Sequence, residues 1–274
     1  MDAERRAVRE EGEYKMEVKE ISKKGNKLSF LIKKADLAFV NTLRRMIIDE
    51  VPTMAIEDVE FRKNDSVMYD EMVSLRLGLI PLVTDLKAYN LPSKCTCKGE
   101  GCAKCQVELS LKTKASGYVD AAKLKSKDPK IVPVYEEMPI TKLINEQELE
   151  FIAIARLGKG RNHAKWSPGL AWFNESAKLE VKSSDAKKLE KAFEKIPKGQ
   201  VKLKAGKVQI DEPLSLDAAH MCEEADSSLF KATPIEGEYI FELESWGQLK
   251  PKTIIETAAT EFVEKLDEFE GLLK

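Results

Sequence analysis

The cysteines of this chain are concentrated in one short loop. Four of its five cysteines fall within SKCTCKGEGCAKCQ (93–106), with the spacing C-x-C-x4-C-x2-C. Glycines at 99 and 101 allow the tight turns that would bring four thiolates around one tetrahedral zinc ion. A zinc site closed by four protein ligands keeps no position open for a substrate, so it would hold the loop and perform no chemistry. The predicted ligands are Cys95, Cys97, Cys102 and Cys105.

Other chemistries remain open for the same loop. Abundant lysine and glutamate with few amides is typical of thermophiles, whose intracellular proteins can carry disulfides, so two disulfides are the alternative to zinc. A redox C-x-x-C motif would need a thioredoxin-like βαβ context, which the sequence pattern does not show. Three nearby lysines could offset the two negative charges of a zinc–thiolate centre: Lys94, Lys98 and Lys104.

Composition limits the class of protein. With 43% hydrophobic and 34% charged residues in 274, the sequence is typical of a globular protein of about two domains. Its 45 basic and 47 acidic residues give no overall basic excess, which a protein that grips nucleic acid on its own would usually have. No apolar run approaches the ~20 residues of a membrane span, and the first residues lack the apolar core of a signal peptide. We expect a cytoplasmic protein without a membrane partner.

The N-terminal region predicts a hairpin followed by a helix. Residues 14–34 alternate polar and apolar positions around a turn at 24–26. Asp36 can cap a helix that runs to about Asp49 and is stopped by Pro52. Its apolar residues form a stripe too wide for a helix that packs on a single core. They are Leu37, Phe39, Val40, Leu43, Met46 and Ile47.

The C-terminal residues 250–274 predict a second helix with a wide apolar face. Pro251 lies in its first turn, and apolar residues recur every three or four positions. A lone terminal helix would not leave such a face in water. The nine apolar positions are Ile254, Ile255, Ala258, Ala259, Phe262, Val263, Leu266, Phe269 and Leu273.

The middle of the chain divides into two parts. Residues 51–173 contain short strand-like runs separated by proline and glycine (MAIEDVEFR, ELSLKTKASGYV, IVPVYE) and predict a mostly β module. Residues 174–226 place charged strand-like pieces (AKLEVK, VKLKAGKVQI) around one helix, SDAKKLEKAFEKI. GEYIFELESWG then predicts a strand before the last helix.

Four segments, in order, resemble one family. They are NTLRRMIIDEVPTMAI (41–56), LRLGLIPL (75–82), GRNHAKWSP (160–168) and ESWGQLKPKTII (244–255). Together they are similar to the D subunits of archaeal DNA-directed RNA polymerases, a family whose lineage includes the bacterial alpha subunit and its eukaryotic counterparts. GRNHAKWSP lacks the GxxxxGK[ST] order of a nucleotide loop, and the resemblance implies a structural loop without a catalytic role.

The resemblance implies an α+β fold with a specific layout. A discontinuous alpha-subunit-like dimerisation domain (1–50 and 227–274) would be interrupted by a mostly β insert domain (51–173) and a small ferredoxin-like α+β insertion (174–226). The chain would form a heterodimer with the small L subunit of the polymerase, as the platform on which the large catalytic subunits assemble. It would carry no catalytic residues, and it would meet DNA only through the assembled enzyme.

The resemblance also implies site residues. Asn41, Arg44 and Arg45 match the motif that binds a large subunit, although paired charges on a helix are more often a solvated face. We place the heterodimer interface at Phe39, Leu43, Phe262 and Leu266.

Some archaeal relatives hold an iron–sulfur cluster in the 174–226 insertion, and eukaryotic relatives bind zinc through a cysteine cluster like that of residues 95–105. This chain has only Cys222 in the insertion, so no iron–sulfur cluster is expected. His220 and Cys222 lack a motif that would support a nucleophile pair. The alternative function is a stand-alone zinc-dependent enzyme or zinc-stapled adaptor, which would have no reason to expose two wide apolar helices.

Overall fold

The structure, a computed structural model, describes residues 16–114, 116–183 and 185–273; residues 14–15 of the predicted hairpin and the first part of the predicted domain 1–50 lie outside them. The helices are α1 Leu37–Glu50, α2 Asp70–Gly78, α3 Ala186–Phe193, α4 Leu216–Ala225 and α5 Pro251–Leu273. The strands are β1 Glu17–Lys24, β2 Lys27–Lys33, β3 Thr53–Asn64, β4 Gln106–Thr113, β5 Gly117–Asp120, β6 Lys125–Ser126, β7 Pro139–Leu143, β8 Leu149–Gly158, β9 Gly169–Val181, β10 Val201–Lys204, β11 Lys207–Ile210, β12 Leu214–Ser215 and β13 Phe230–Ser245.

One compact unit comprises the described residues 16–23, 29–40 and 172–242. Most of the five-stranded sheet, in the order β1–β2–β13–β9–β12, lies here. The edge strand β1 is exposed along its whole length, whereas the next strand, β2, is buried from Leu28 to Ile32. Phe30 stacks on Phe241 with ring centroids 5.0 Å apart, which places aromatic packing at the centre of the sheet.

The same unit carries a small α+β substructure between β9 and β13. Helices α3 and α4 and the hairpin β10–β11 share one apolar core, which includes Leu189, Val201, Cys222 and Phe230. Asp185 caps α3 by accepting a hydrogen bond from the backbone N–H of Lys187. Because the hairpin alternates inward and outward residues, its apolar side chains join this core and its lysines face water.

The second unit comprises residues 24–28, 41–171 and 243–273. Its main sheet has the order β3–β8–β4–β6, and a separate two-stranded sheet joins β5 and β7. Strand β8 alternates buried and half-buried residues, as expected of a central strand with one face on the core. Helix α2 covers this core with Val73 and Leu77, one turn apart and both fully buried.

Several predicted elements are confirmed. The hairpin turns at Gly25 and Asn26, α1 begins one residue after Asp36, and the last helix begins at Pro251. The Asp36 carboxylate accepts a hydrogen bond from the backbone N–H of Ala38, which is the expected N-terminal capping contact. The strands predicted at 54–62 and 201–210 and the helix predicted at 184–196 are also present, the helix shorter than its segment.

Other predictions were wrong or incomplete. The segment IVPVYE (131–136) forms only an isolated bridge between Pro133 and Leu82, because proline lacks the N–H that a ladder needs. Helices α2 and α4 were not predicted.

Across the part of the chain that the structure describes, no helix combines the length and the apolar character needed to cross a membrane.

Candidate functional site

The cysteine loop is a series of tight turns between a 3-10 helix (Pro92–Lys94) and β4. The backbone N–H of Lys98 donates to the Cys95 carbonyl at 3.0 Å, and that of Gln106 donates to the Cys102 carbonyl at 3.0 Å. Gly101 has a φ of +98°, a conformation that side-chain-bearing residues rarely adopt. These turns point the cysteine side chains toward one another.

The four sulfurs form a compact group, with all Sγ atoms within 4.8 Å of one another. Cys95 and Cys102 are 3.6 Å apart, Cys97 and Cys105 are 3.5 Å apart, and Cys102 and Cys105 are 3.8 Å apart. Zinc–sulfur bonds of about 2.3 Å place the sulfurs of a regular tetrahedron roughly 3.8 Å apart. The arrangement therefore fits a four-thiolate metal site.

Disulfides do not describe this arrangement. A disulfide joins its sulfurs at about 2.0 Å, whereas the sulfurs here are at least 3.5 Å apart and all five cysteines are free. In the described residues, this loop is the only group of three or more His, Cys, Asp or Glu side chains placed to hold a metal ion.

The loop shifts the pKa values of two of its cysteines in opposite directions. Backbone N–H groups of Gly101 and Gly99 lower the pKa of Cys97 to about 6, so its thiolate is present at neutral pH. Burial raises the pKa of Cys105 to about 12. Only the positive charge of a metal ion would remove the Cys105 proton near neutrality, which is how metals bind buried thiols.

An ion pair joins the cysteine loop to the last helix. Lys94, next to Cys95, places its Nζ 2.7 Å from a carboxylate oxygen of Glu264 on α5. This hydrogen bond lowers the pKa of Glu264, and both side chains remain about half exposed. The contact is an exposed pair, which contributes little stability on its own.

The residues predicted to contact a large subunit lie together on the surface of α1. The Arg44 guanidinium donates to the side-chain oxygen of Asn41 at 3.0 and 3.1 Å, so these two residues form one polar group. Arg45 is mostly exposed and lies 3.9 Å from Asp49, one turn further along. The guanidinium of Arg45 is therefore only weakly engaged within the chain.

A buried ionic cluster closes the end of α1. Glu50, with 6% of its side chain exposed, accepts hydrogen bonds from Lys159 at 3.1 Å and from Lys265 at 2.6 Å. Lys159 also contacts Glu261 of α5 at 2.6 Å, and Arg161 reaches Glu50 at 3.2 Å. Burial alone would raise the pKa of Glu50, but hydrogen bonds from Lys265 and Lys159 hold it below its ordinary value. The cluster ties α1, α5 and the GRNHAKWSP segment together.

Lys165 and Trp166 of the GRNHAKWSP segment (160–168) make contacts inside the fold. Lys165 donates to the Ile56 carbonyl at 3.0 Å, bonds the Glu57 carboxylate and lies over the Trp166 ring. A Cβ on Gly160 would come within 2.0 Å of the Ile48 carbonyl oxygen, so the loop approaches α1 at a distance that only glycine permits. This loop therefore packs closely against α1 and β3.

The four residues predicted for the heterodimer interface differ in exposure. Phe39 is 37% exposed and Leu266 is 50% exposed, whereas Leu43 and Phe262 are half-buried. On α5, Ile254 and Ala258 are fully buried, but every large apolar side chain from Val263 onward is at least half exposed. These exposed side chains are Val263, Leu266, Phe269, Leu272 and Leu273, which we call the α5 apolar stripe.

Cys222 and His220 do not form a pair. Both lie on α4, but Cys222 is buried in the core and His220 is exposed. Burial raises the pKa of Cys222 to about 11, which leaves its thiol protonated and unreactive near neutral pH.

Comparison with known proteins gives the family. Residues 56–169 match the model of the RNA polymerase Rpb3/RpoA insert domain. Subunit Rpo3 of the DNA-directed RNA polymerase of Methanosphaera stadtmanae is 36% identical over 247 residues, which cover 87% of this chain and 91% of the relative. The chain belongs to the Rpo3 family. The Rpo3 proteins of Methanosarcina mazei (34% identical, 94% of this chain, 98% of the relative) and Pyrococcus furiosus (33%, 93% and 95%) are similar along nearly their whole length.

Sequence reasoning missed the ionic cluster of this Rpo3 family member. Glu50, Lys159 and Glu261 are more than 100 residues apart in the chain, and their contacts depend on the tertiary fold. One local signal was present. Gly160 lies inside a segment that resembles the family, and glycine is the residue that permits close approach of a backbone.

Proposed function

We propose that the chain is a non-catalytic assembly subunit of an archaeal DNA-directed RNA polymerase in the cytoplasm. Membership of the Rpo3 family supports this role, because each relative named above is a DNA-directed RNA polymerase subunit and matches this chain over most of its length. The stand-alone zinc enzyme or zinc-stapled adaptor is not favoured by these relatives. The catalytic centre and the DNA path belong, in this proposal, to the assembled enzyme and its large subunits.

The proposed architecture is the alpha-subunit-like one. A dimerisation domain (1–50 and 227–274) pairs with the small L subunit and is interrupted in sequence by the insert domain (51–173) and the ferredoxin-like insertion (174–226). The family match at 56–169 lies inside the proposed insert domain, 51–173. The exposed Asn41–Arg44 group and Arg45 are the proposed contact with a large subunit.

The observation that carries the proposal is the α5 apolar stripe. Burying one large apolar side chain gains about 1.5–3 kcal/mol, and Leu266, Phe269 and Leu273 are each at least half exposed. The stripe continues the buried line of Ile254 and Ala258 along the same helix. A partner of matching apolar surface would bury it, as in obligate dimers.

Co-expression with the small subunit tests the interface. The double variant Leu266→Asp/Phe269→Asp places two charges on the stripe and is expected to abolish co-purification. The control Thr260→Asp/Gly271→Asp adds the same charges on the other side of α5, since helical residues are spaced by about 100°. Normal complex formation by the stripe variant, or equal loss in the control, would contradict this interface.

Zinc in the cysteine loop is the second part of the proposal, together with the absence of an iron–sulfur cluster. When bound, the ion would fix the loop, with Cys95, Cys97, Cys102 and Cys105 as its ligands. We expect one zinc and no stoichiometric iron per chain by elemental analysis, and five free thiols after chelation and unfolding. A chain with one free thiol and no zinc would establish the disulfide alternative instead.

A further inference from the structure

Lysines and acidic residues are unevenly distributed along this chain. Residues 178–207 contain ten lysines and only four acidic residues, although the chain as a whole has a net charge of −2. This segment, which we call the lysine segment, comprises the end of β9, helix α3, strand β10 and the first residue of β11. It is a strongly positive region in a slightly acidic protein.

Few lysines of the segment pair with a carboxylate. In the described residues, only Lys202 of these ten lies within 4.0 Å of one, that of Asp211. Outside the segment, thirteen lysines form such pairs, including Lys159 and Lys265. About half of the described lysines outside the segment are paired in this way, against one in ten within it, so most charges of the segment are available to an external anion.

Helix α3 arranges part of this charge in a row. Leu189 and Ala192 face the core, while Lys187, Lys191 and Lys195 are exposed and recur every four residues. Lys195 follows the helix in a continuing turn, its N–H donating to the Ala192 carbonyl at 3.0 Å. Like charges four residues apart weaken a helix, but Glu190 and Glu194, three residues after Lys187 and Lys191, offset this repulsion within the helix.

The spacing of the row fits a phosphate backbone. Four residues of helix rise about 6 Å, so the three lysines span about 12 Å. One strand of duplex DNA carries a charge about every 3.4 Å of axis, and the row therefore spans three to four phosphates. Phe193, the one aromatic residue of the segment, packs against Phe230 at 6.1 Å between ring centroids. No aromatic side chain of the segment is thus presented for base stacking.

We propose that the Lys187–Lys191–Lys195 row of α3 binds the phosphate backbone of nucleic acid without reading its sequence. The inference rests on the proposed polymerase role, in which nucleic acid runs through the assembled enzyme. It goes beyond that role by assigning this chain a direct contact. Lysine suits such a contact because its ammonium acts as a point charge on a flexible stem.

Fluorescence anisotropy of the full-length chain with a labelled random 20-base-pair duplex tests the proposal. We expect a dissociation constant of about 10⁻⁴–10⁻⁶ M near physiological salt, with a log–log salt slope near −3 from three to four neutralised phosphates. In Lys187→Gln/Lys191→Gln/Lys195→Gln, affinity should fall about tenfold or more and the slope should flatten by about 2.7.

The matched control is Lys19→Gln/Lys125→Gln/Lys231→Gln, which removes the same charge from exposed lysines outside the segment. Binding by this control should stay within about twofold of the unaltered chain. No duplex binding at low salt, or equal weakening by both triple variants, would overturn the proposal. If polyglutamate displaces the duplex at an equal concentration of negative charge, the proposal would also be overturned, and the row would instead fit an acidic protein partner.

Assembly with the small subunit is measured separately, by co-purification. A chain that assembles but does not bind the duplex would refute this inference and leave the proposed assembly role standing.

Discussion

Two regions of the molecule use lysine in different ways. In the ionic cluster at the end of α1, Lys159 and Lys265 hold a buried glutamate, and almost no part of that glutamate reaches water. In the lysine segment, nine of ten lysines have no carboxylate within 4.0 Å in the described residues, and all ten side chains are exposed. Buried charges must be paired to be tolerated, whereas exposed ones are free to meet a partner. The difference separates charge that holds the fold from charge available for binding.

The largest expected effect comes from removing the centre of the cluster. Glu50→Gln leaves Lys159 and Lys265 without their shared carboxylate and should lower the free energy of unfolding by about 3–5 kcal/mol, as for other broken buried pairs. Urea unfolding followed by circular dichroism would measure it. If Glu50→Gln is as stable as the unaltered chain, the cluster is a surface feature like the lysine segment, and the comparison fails.

The pH dependence of stability should follow the same carboxylate. The pKa of Glu50 lies below its ordinary value of 4.5 in the folded chain, so its contribution is present above about that pH and is lost as the pH falls toward the folded pKa. Unfolding free energies at pH 7, 5 and 4 should fall more steeply in the unaltered chain than in Glu50→Gln. If the unfolding free energies of the two proteins change with pH in parallel, Glu50 is not the source of the pH dependence.

The exposed ion pair between Lys94 and Glu264 of α5 contrasts with the buried cluster, to which the same helix contributes Glu261 and Lys265. Lys94→Met removes the contact between the cysteine loop and Glu264, and because both side chains are about half exposed it should cost less than about 1 kcal/mol. The loss should shrink further at 1 M salt, where surface charges are screened. A loss comparable to that of Glu50→Gln would show that this pair also positions the metal loop.

The smallest expected effect lies in the lysine segment. Lys187→Gln/Lys191→Gln/Lys195→Gln should change the unfolding free energy by less than roughly 0.5 kcal/mol, because the relieved repulsion between lysines is offset by the lost attraction to Glu190 and Glu194. Thermal unfolding should show an almost unchanged midpoint. A lowered midpoint would mean that the row contributes to the fold, contrary to its contrast with the ionic cluster.

The predictable parts of the fold and site were those with local signals. The cysteine group is specified by spacing over 11 residues, and the hairpin, α1 and α5 follow from periodicity around glycine, Asp36 and Pro251. Helix α2 had a signal that was not used, since Asp70 and Glu71 in its first turn favour a helix start. The strand expected at 131–136 did not form. Its apolar residues are typical of a strand, but Pro133 has no N–H to donate to a neighbouring strand.

The ionic cluster could not be predicted, because the residues near Glu50 in sequence do not indicate partners more than 100 residues away. The lysine segment could have been found from the sequence, since its charge excess is local. What the sequence could not supply is the scarcity of nearby carboxylates, which is a property of the folded chain.

The close approach of Gly160 to Ile48 limits how this region can change in evolution. Any side chain at position 160 would have to displace a backbone carbonyl in the last turn of α1, two residues before the glutamate that organises the cluster. Gly271, near the end of α5, has no atom within 4 Å of its would-be Cβ. In a library of single substitutions, position 160 should therefore retain glycine alone while position 271 accepts most residues, so two glycines of one chain mark the extremes of its mutational tolerance.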